Sequence, residues 1–170
     1  MDRKGGEEMA DFEKLYKEKQ VFIFKFLMKI CKDESLAEEL TQETFFRAYM
    51  NISNLRSENA ASVWLCQIAK NCYFSWYNQN KNLYSLENLE GSQNLKSLTD
   101  PENEFLQKEL SNDLYDALSH LEEPYKEVFI LHVMGNMTMK EISETFGKSE
   151  SWARVTFYRG RQKLSEILDL

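Results

Sequence analysis

The sequence predicts an all-α protein made of two small helical modules joined by a flexible linker. Apolar residues recur at i, i+3, i+4 spacing along most of the 170 residues, with no sustained period-two alternation. Capping signatures and glycine or proline breaks cut this pattern into helix-length segments. A stretch over 82–99, rich in Ser, Asn and Leu and without a clear period, separates two groups of such segments. Hydrophobic residues make up 42 % and aromatics 13 %, enough to build packed cores.

The first helix runs from Asp11 to Lys32, where Phe12, Leu15, Tyr16, Phe22, Ile23, Phe26, Leu27 and Ile30 share one face. Ser35 followed by Glu38 predicts a capping box that opens a second helix ending near Met50. Residues 51–61 are polar and form a loop. A third helix starts near Ser62 and ends near Asn80, with the linker from 82 to 100. Asp100 then caps a helix with Pro101 in its first turn. Further helices follow over about 124–134, 138–146 and 149–168. The modules are thus 11–81 and 101–170.

Net charge is −7, which argues against a uniformly basic nucleic-acid binder. The average conceals a local contrast: within 148–163, Lys148, Arg154, Arg159, Arg161 and Lys163 stand against only Glu150. A basic patch on an acidic body restrains non-specific DNA binding, because phosphate contacts supply most of that affinity. No apolar run approaches the ~20 residues of a membrane span. The start MDRKGGEEMA lacks the apolar centre of a signal peptide, so the expected location is the cytoplasm. Cys31, Cys66 and Cys72 sit in apolar stretches without metal-site spacing and are expected to be buried reduced thiols.

The C-terminal module carries the sharpest pattern. Thr138 and Glu141 form a capping box before a short helix bearing Ile142 and Phe146. Gly147 ends it, and Ser149 caps a longer basic helix. Short helix, glycine turn and basic helix make a helix-turn-helix, whose second helix enters the major groove. On a wheel of about 100° per residue, Ala153, Phe157, Gly160 and Leu164 form the inward stripe. Ser151, Val155, Tyr158, Arg159 and Gln162 lie opposite. Arg154 and Arg161 lie on one border, Trp152 and Lys163 on the other. Borders suit phosphates and the central face suits base edges. A solvated amphipathic terminal helix is the plainer alternative.

In the N-terminal module, helix 35–50 turns Leu40, Thr44, Phe45 and Ala48 inward and leaves Glu38, Glu39, Gln42, Glu43 and Arg47 outside. Such a face is either simply solvated or a docking surface for a basic partner. Helix 62–80 is unusually aromatic. Trp64, Leu65, Ile68 and Cys72 make a buried stripe, while Tyr73, Trp76 and Tyr77 cannot all share it. Exposed rings beside Lys70, Asn71 and Asn78 suit stacking on unpaired bases, although an aromatic core fits too.

The run from Asp33 to Tyr49 resembles the polymerase-binding helix in region two of extracytoplasmic-function (ECF) sigma factors. Trp64-Leu65 with Ile68-Ala69-Lys70-Asn71 resembles the helix that follows it. Tyr125 to His132, Thr138 to Gly147 and Arg154 to Leu164 resemble region four. The likeness spans about 12–80 and 101–168.

The resemblance implies a bacterial sigma factor that binds core RNA polymerase and starts transcription of a stress or envelope-type regulon. It implies that Glu38, Glu39, Gln42 and Glu43 dock on the coiled coil of the largest subunit, with region four near the flap of the second-largest. Asn54, Arg56, Ser57 and Asn59 of the loop, with Lys70, Asn71, Tyr73 and Trp76, would take the minus-ten element around a flipped base. Ser149, Ser151, Trp152, Arg154, Val155, Tyr158, Arg159 and Arg161 would take the minus-thirty-five element. An anti-sigma factor is a further implied partner, one that can hold the protein at the membrane. Three features depart from the family pattern: Ser75 in place of a usual Asp, Asn78 and Gln79 where basic residues are common, and the bulky Trp152.

His120 and His132 are isolated, and His132 shares a face with Tyr125, Val128 and Phe129 as a core histidine would. With no nucleophile–base pair, phosphate loop or metal cluster in the sequence, enzymatic activity, a cofactor, a metal and a small-molecule substrate are not expected. Two other readings fit the residues taken alone. A stand-alone helix-turn-helix regulator would dimerise on a palindromic site, whereas a sigma factor would read an asymmetric bipartite one. A helical protein-binding adaptor would leave the basic 148–163 segment without a purpose.

Overall fold

A computed structural model describes the backbone over residues 3–90 and 113–169, and the side chains of 9, 11–81 and 113–169. Among these residues every regular element is helical. They are α1 (Arg3–Cys31), α2 (Glu34–Met50), two short 3₁₀ turns (Ile52–Asn54 and Glu58–Ala60), α3 (Ala61–Glu90), α4 (113–120), α5 (Tyr125–Val133), α6 (Met139–Phe146) and α7 (Glu150–Ile167). No described helix is long and apolar enough to cross a membrane.

The N-terminal module is a three-helix bundle. Ile23, Phe26, Leu27 and Ile30 of α1 are fully or almost fully buried against Leu36, Ala37, Leu40, Phe45 and Ala48 of α2 and Leu65, Cys66 and Ala69 of α3. Burying each large side chain is worth ~1.5–3 kcal/mol, so this stripe carries the module's stability. Phe12 meets Tyr49, and Tyr16 meets Phe45, edge to face at 5.1 and 4.9 Å. Thr44, polar inside this core, donates its hydroxyl to the Leu40 carbonyl at 2.6 Å. The N-cap of α2 differs from expectation. Asp33, not Ser35, is the cap, its carboxylate accepting from the Leu36 N–H at 2.8 Å. A carboxylate at the N-terminus also complements the helix dipole, which a serine hydroxyl does less well.

Helix α3 continues to Glu90, ten residues past the expected end near Asn80. Residues 82–90 lack the amphipathic period that marks a surface helix, yet contain neither Gly nor Pro before Gly91, so nothing in them stops one. The expected cap at Asp100 and the helix start at Pro101 lie outside the described residues.

The C-terminal module packs α5 and α6 against α7 around Val128, Ile130, Leu131, Ile142, Ala153 and Leu164. Gly160 brings two helices close: a Cβ added there would lie 3.3 Å from the Tyr125 carbonyl oxygen. His132 sits half-buried in this module with Nδ1 2.8 Å from the Met137 carbonyl oxygen and its ring edge-on to Phe157. It therefore has the packed, satisfied surroundings expected of a core histidine. The two modules touch where α3 meets α5 and α6.

Candidate nucleic-acid and polymerase interfaces

The helix-turn-helix forms from local chemistry. Thr138 Oγ1 accepts from the Glu141 N–H at 3.2 Å, and the Glu141 carboxylate accepts from the Thr138 N–H at 2.8 Å. These hydrogen bonds hold the Glu141 carboxyl below its ordinary value. Gly147 closes α6 in the left-handed region at φ +62°, and the Lys148 N–H reaches back to the Ser143 carbonyl at 2.9 Å. Only glycine takes that φ without a Cβ penalty. Ser149 then caps α7, its hydroxyl oxygen accepting from the Trp152 N–H at 3.1 Å.

This geometry sets the roll of α7. Ala153, Gly160 and Leu164 are buried and Phe157 is half-buried, as the wheel predicts, and Thr156 joins them inside. Ser151, Val155, Tyr158, Arg159 and Gln162 are exposed along the opposite side, with Arg154 and Arg161 beside them. Tyr158 is 64 % and Val155 47 % exposed, unusual for such side chains unless something covers them. Valine methyls suit the thymine C5-methyl, and an unpaired guanidinium suits guanine. Arg154 is ion-paired with Glu150 one turn earlier. Trp152 is half-buried on Phe146, ring centroids 5.2 Å apart, so part of its bulk braces α6 against α7. Lys163 lies over the Tyr125 ring at 5.3 Å.

On α2, Glu38, Glu39, Gln42 and Arg47 are exposed, and Glu43 is half-buried with its carboxylate 2.6 Å from Arg47 Nε. That hydrogen bond raises the Arg47 pKa. Beside this face an open groove of about 380 Å³ runs between α2 and α3, lined by Glu39, Gln42, Glu43, Phe46, Trp76 and Gln79 among others. Phe46, 61 % exposed at its edge, is not among the residues the sequence singles out. Its signal is present there all the same: Phe46 follows Gln42 and Glu43 by four and three residues, which places a large ring on the polar face.

The loop residues Asn54, Arg56, Ser57 and Asn59 are all exposed, while Ile52 and Leu55 anchor the segment to the core. On α3, Asn71 is exposed and Trp76 half-buried. Two expected minus-ten residues lie elsewhere. Lys70 and Tyr73 are each only 3 % exposed, because the C-terminal module covers this side of α3. A lone ammonium is costly to bury, and Lys70 is answered by Glu123 at 2.8 Å and Glu127 at 3.8 Å. Tyr73 packs edge-on to Tyr115 of α4, whose hydroxyl burial pushes up to about 12. In this arrangement neither side chain faces solvent, so neither can touch DNA.

Cys66 and Cys72 are buried and Cys31 is half-buried; all three are free thiols, and burial pushes each pKa up. Among the described residues no cluster of His, Cys, Asp and Glu could hold a metal ion.

Comparison with known proteins adds an independent line. Residues 15–82 match the family Sigma-70 region 2, and residues 111–164 match Sigma-70, region 4. The chain is similar to the ECF RNA polymerase sigma factor SigM of Bacillus subtilis (strain 168), 30 % identical over 146 residues that cover 85 % of this chain and 87 % of that one. The ECF RNA polymerase sigma factor SigW of the same organism is 27 % identical over 175 residues, covering 98 % and 92 %. The sigma factor RpoE in complex with the anti-sigma factor NepR, from Bartonella quintana, superposes with a TM-score of 0.51 at 17 % identity, over 94 % of this chain and 98 % of that one. CnrH in complex with the cytosolic domain of CnrY gives 0.51 at 20 %, over 95 % and 89 %. At such identities the two structures establish a shared fold.

Proposed function

Because the chain belongs to the ECF class of RNA polymerase sigma factors, which bind RNA polymerase and start transcription, we propose that it directs the enzyme to bipartite promoters of a stress or envelope-type regulon. In this reading α2 docks through Glu38, Glu39, Gln42 and Glu43 on the coiled coil of the largest subunit, with Phe46 at the groove edge as an apolar anchor. The 51–61 loop and α3 take the minus-ten element. Helix α7 takes the minus-thirty-five element, near the flap of the second-largest subunit. The division into 11–81 and 101–170 belongs to this reading, with the first boundary falling inside α3. The sigma factor supplies no chemistry of its own; nucleotide addition belongs to the polymerase.

The observation that carries the reading is α7. A capped helix, a left-handed glycine and a second capped helix leave Ser151, Arg154, Val155, Tyr158 and Arg159 exposed together on the face expected to enter a groove. The test is run-off transcription by core polymerase with the purified chain on genomic fragments. Start sites preceded by an asymmetric two-part motif are expected. Binding as a dimer to a palindrome, without recruiting polymerase, would instead return the stand-alone regulator.

An anti-sigma partner also belongs to the proposal, supported by the complexes in which the two similar structures occur. Such a protein would mask the polymerase- and DNA-binding faces and, if membrane-anchored, would hold this one at the membrane. Co-purification from cells whose target genes are silent should recover a second small protein. Recovery of polymerase alone under those conditions would refute it.

A further inference from the structure

The contact between the two modules is built from charge as well as apolar packing. Lys70 of α3, its side chain 4 % exposed, lies 2.8 Å from a Glu123 oxygen and 3.8 Å from a Glu127 oxygen at the start of α5. Lys126 stands over the Phe74 ring at 5.3 Å. The Tyr115 hydroxyl donates to the Lys29 carbonyl at 3.1 Å, and Lys29 Nζ donates to the Met134 carbonyl at 3.3 Å. Tyr73 and Phe74 lie beneath this cover. The ammonium and carboxylates at the junction lose hydration on contact, which offsets much of their attraction. Such a contact fixes one arrangement yet adds little net adhesion, and Glu123, still 49 % exposed, remains within reach of water.

We propose that this is an autoinhibitory closed state, in which the Glu123 and Glu127 carboxylates occupy the place of DNA phosphates against Lys70 and cover the aromatic face of α3. A polyanion competes for Lys70 with the same chemistry that the carboxylates supply, so promoter binding and module separation are coupled. The inference rests on α3 being the minus-ten helix, but closure itself is measurable without DNA.

The test uses the full chain and its Glu123→Gln/Glu127→Gln variant. Glutamine keeps the carbonyl oxygen with which Glu123 accepts the Glu127 N–H, so the start of α5 is preserved. Acetylation of Lys70, followed by mass spectrometry and compared with the exposed Lys25, reads accessibility. Small-angle scattering reads the separation of the modules. Wild-type Lys70 should react far more slowly than Lys25. The variant should react about tenfold faster at Lys70, a ~1.4 kcal/mol change in the closed–open balance, with a larger radius of gyration. Equal rates at Lys70 and Lys25 in the wild type would overturn closure. An unchanged rate and radius in the variant would overturn the role of the carboxylates.

Fluorescence anisotropy on a labelled minus-ten strand then tests masking. The opened variant should bind more tightly than the wild type, and adding Lys70→Gln should reverse the gain. Opening without a gain in affinity overturns masking. If Lys70→Gln is then also without effect, the assignment of α3 is at fault, while the scattering and acetylation results still stand for closure.

Discussion

Arg154 at the start of α7 is ion-paired with Glu150, one turn before it. At the border of a groove-facing surface the same guanidinium is wanted by a phosphate, so Glu150 is a competitor. Glu150→Gln removes it. An exposed i,i+4 pair is worth ~0.3–0.5 kcal/mol, so releasing Arg154 should tighten binding on every promoter by about twofold. The loss of a negative charge beside DNA adds to this. Stability should move the other way, because an acidic residue in the first turn complements the helix dipole by ~0.3–1 kcal/mol. Arg154→Ala or Arg161→Ala should weaken all promoters alike and lower the slope of log affinity against log salt by roughly 0.9 for each phosphate left without its cation. Arg159→Ala, nearer the centre, should alter the preferred bases, losing ~1–3 kcal/mol on the best site and little on the worst. The assay is binding of the polymerase holoenzyme to a panel of minus-thirty-five variants at several salt concentrations. If Arg159→Ala lowers every variant equally while Arg154→Ala changes the preference, α7 enters the groove rolled toward Arg154. If Glu150→Gln weakens binding, the carboxylate is no competitor.

Reversal of Glu39 and Glu43 to Lys should weaken competition for core polymerase, with the thermal midpoint little changed, since exposed substitutions rarely cost more than ~0.5 kcal/mol; an unchanged polymerase affinity would remove α2 from the docking surface. Thr138→Ala should cost ~1 kcal/mol at neutral pH through loss of the cap of α6, read by chemical denaturation. Because the Glu141 carboxyl is held below its ordinary value, its stabilisation is present above pH 4.5 and fades as pH falls through the lower folded-state value, so the gap between the two proteins should narrow in acid.

The parts legible in the sequence are those whose causes are local. Thr138 and Glu141 are three residues apart, Gly147 takes a φ that few residues tolerate, and Ser149 caps its own helix. Their spacing therefore fixes the start, stop and roll of α6 and α7. The α2 cap falls two residues before its expected place because Asp33 and Ser35 both have capping chemistry and only the fold chooses between them. Helix α3 outruns its expected length because an amphipathic period marks only those helices that bury a stripe, and residues 82–90 carry no apolar stripe to bury.

Lys70 and Tyr73 lie away from the expected DNA-facing surface for a more general reason. A wheel divides a helix into inside and outside, whereas α3 has three environments: its own bundle, the second module and solvent. Leu65, Ala69 and Cys72 face the bundle. Lys70, Tyr73, Phe74 and Tyr77 recur at i, i+3, i+4, i+7, a complete second stripe, buried or half-buried in the structure. A lysine at its head makes the stripe look solvated. What the sequence withholds is the partner: Glu123 lies 53 residues away, and no local pattern connects it to Lys70. The same stripe of rings and one ammonium is also what a single-stranded nucleic acid would bind. One surface with two suitable occupants cannot serve both at once. The stripe's chemistry therefore requires that, if α3 reads DNA through these side chains, the C-terminal module must first leave it.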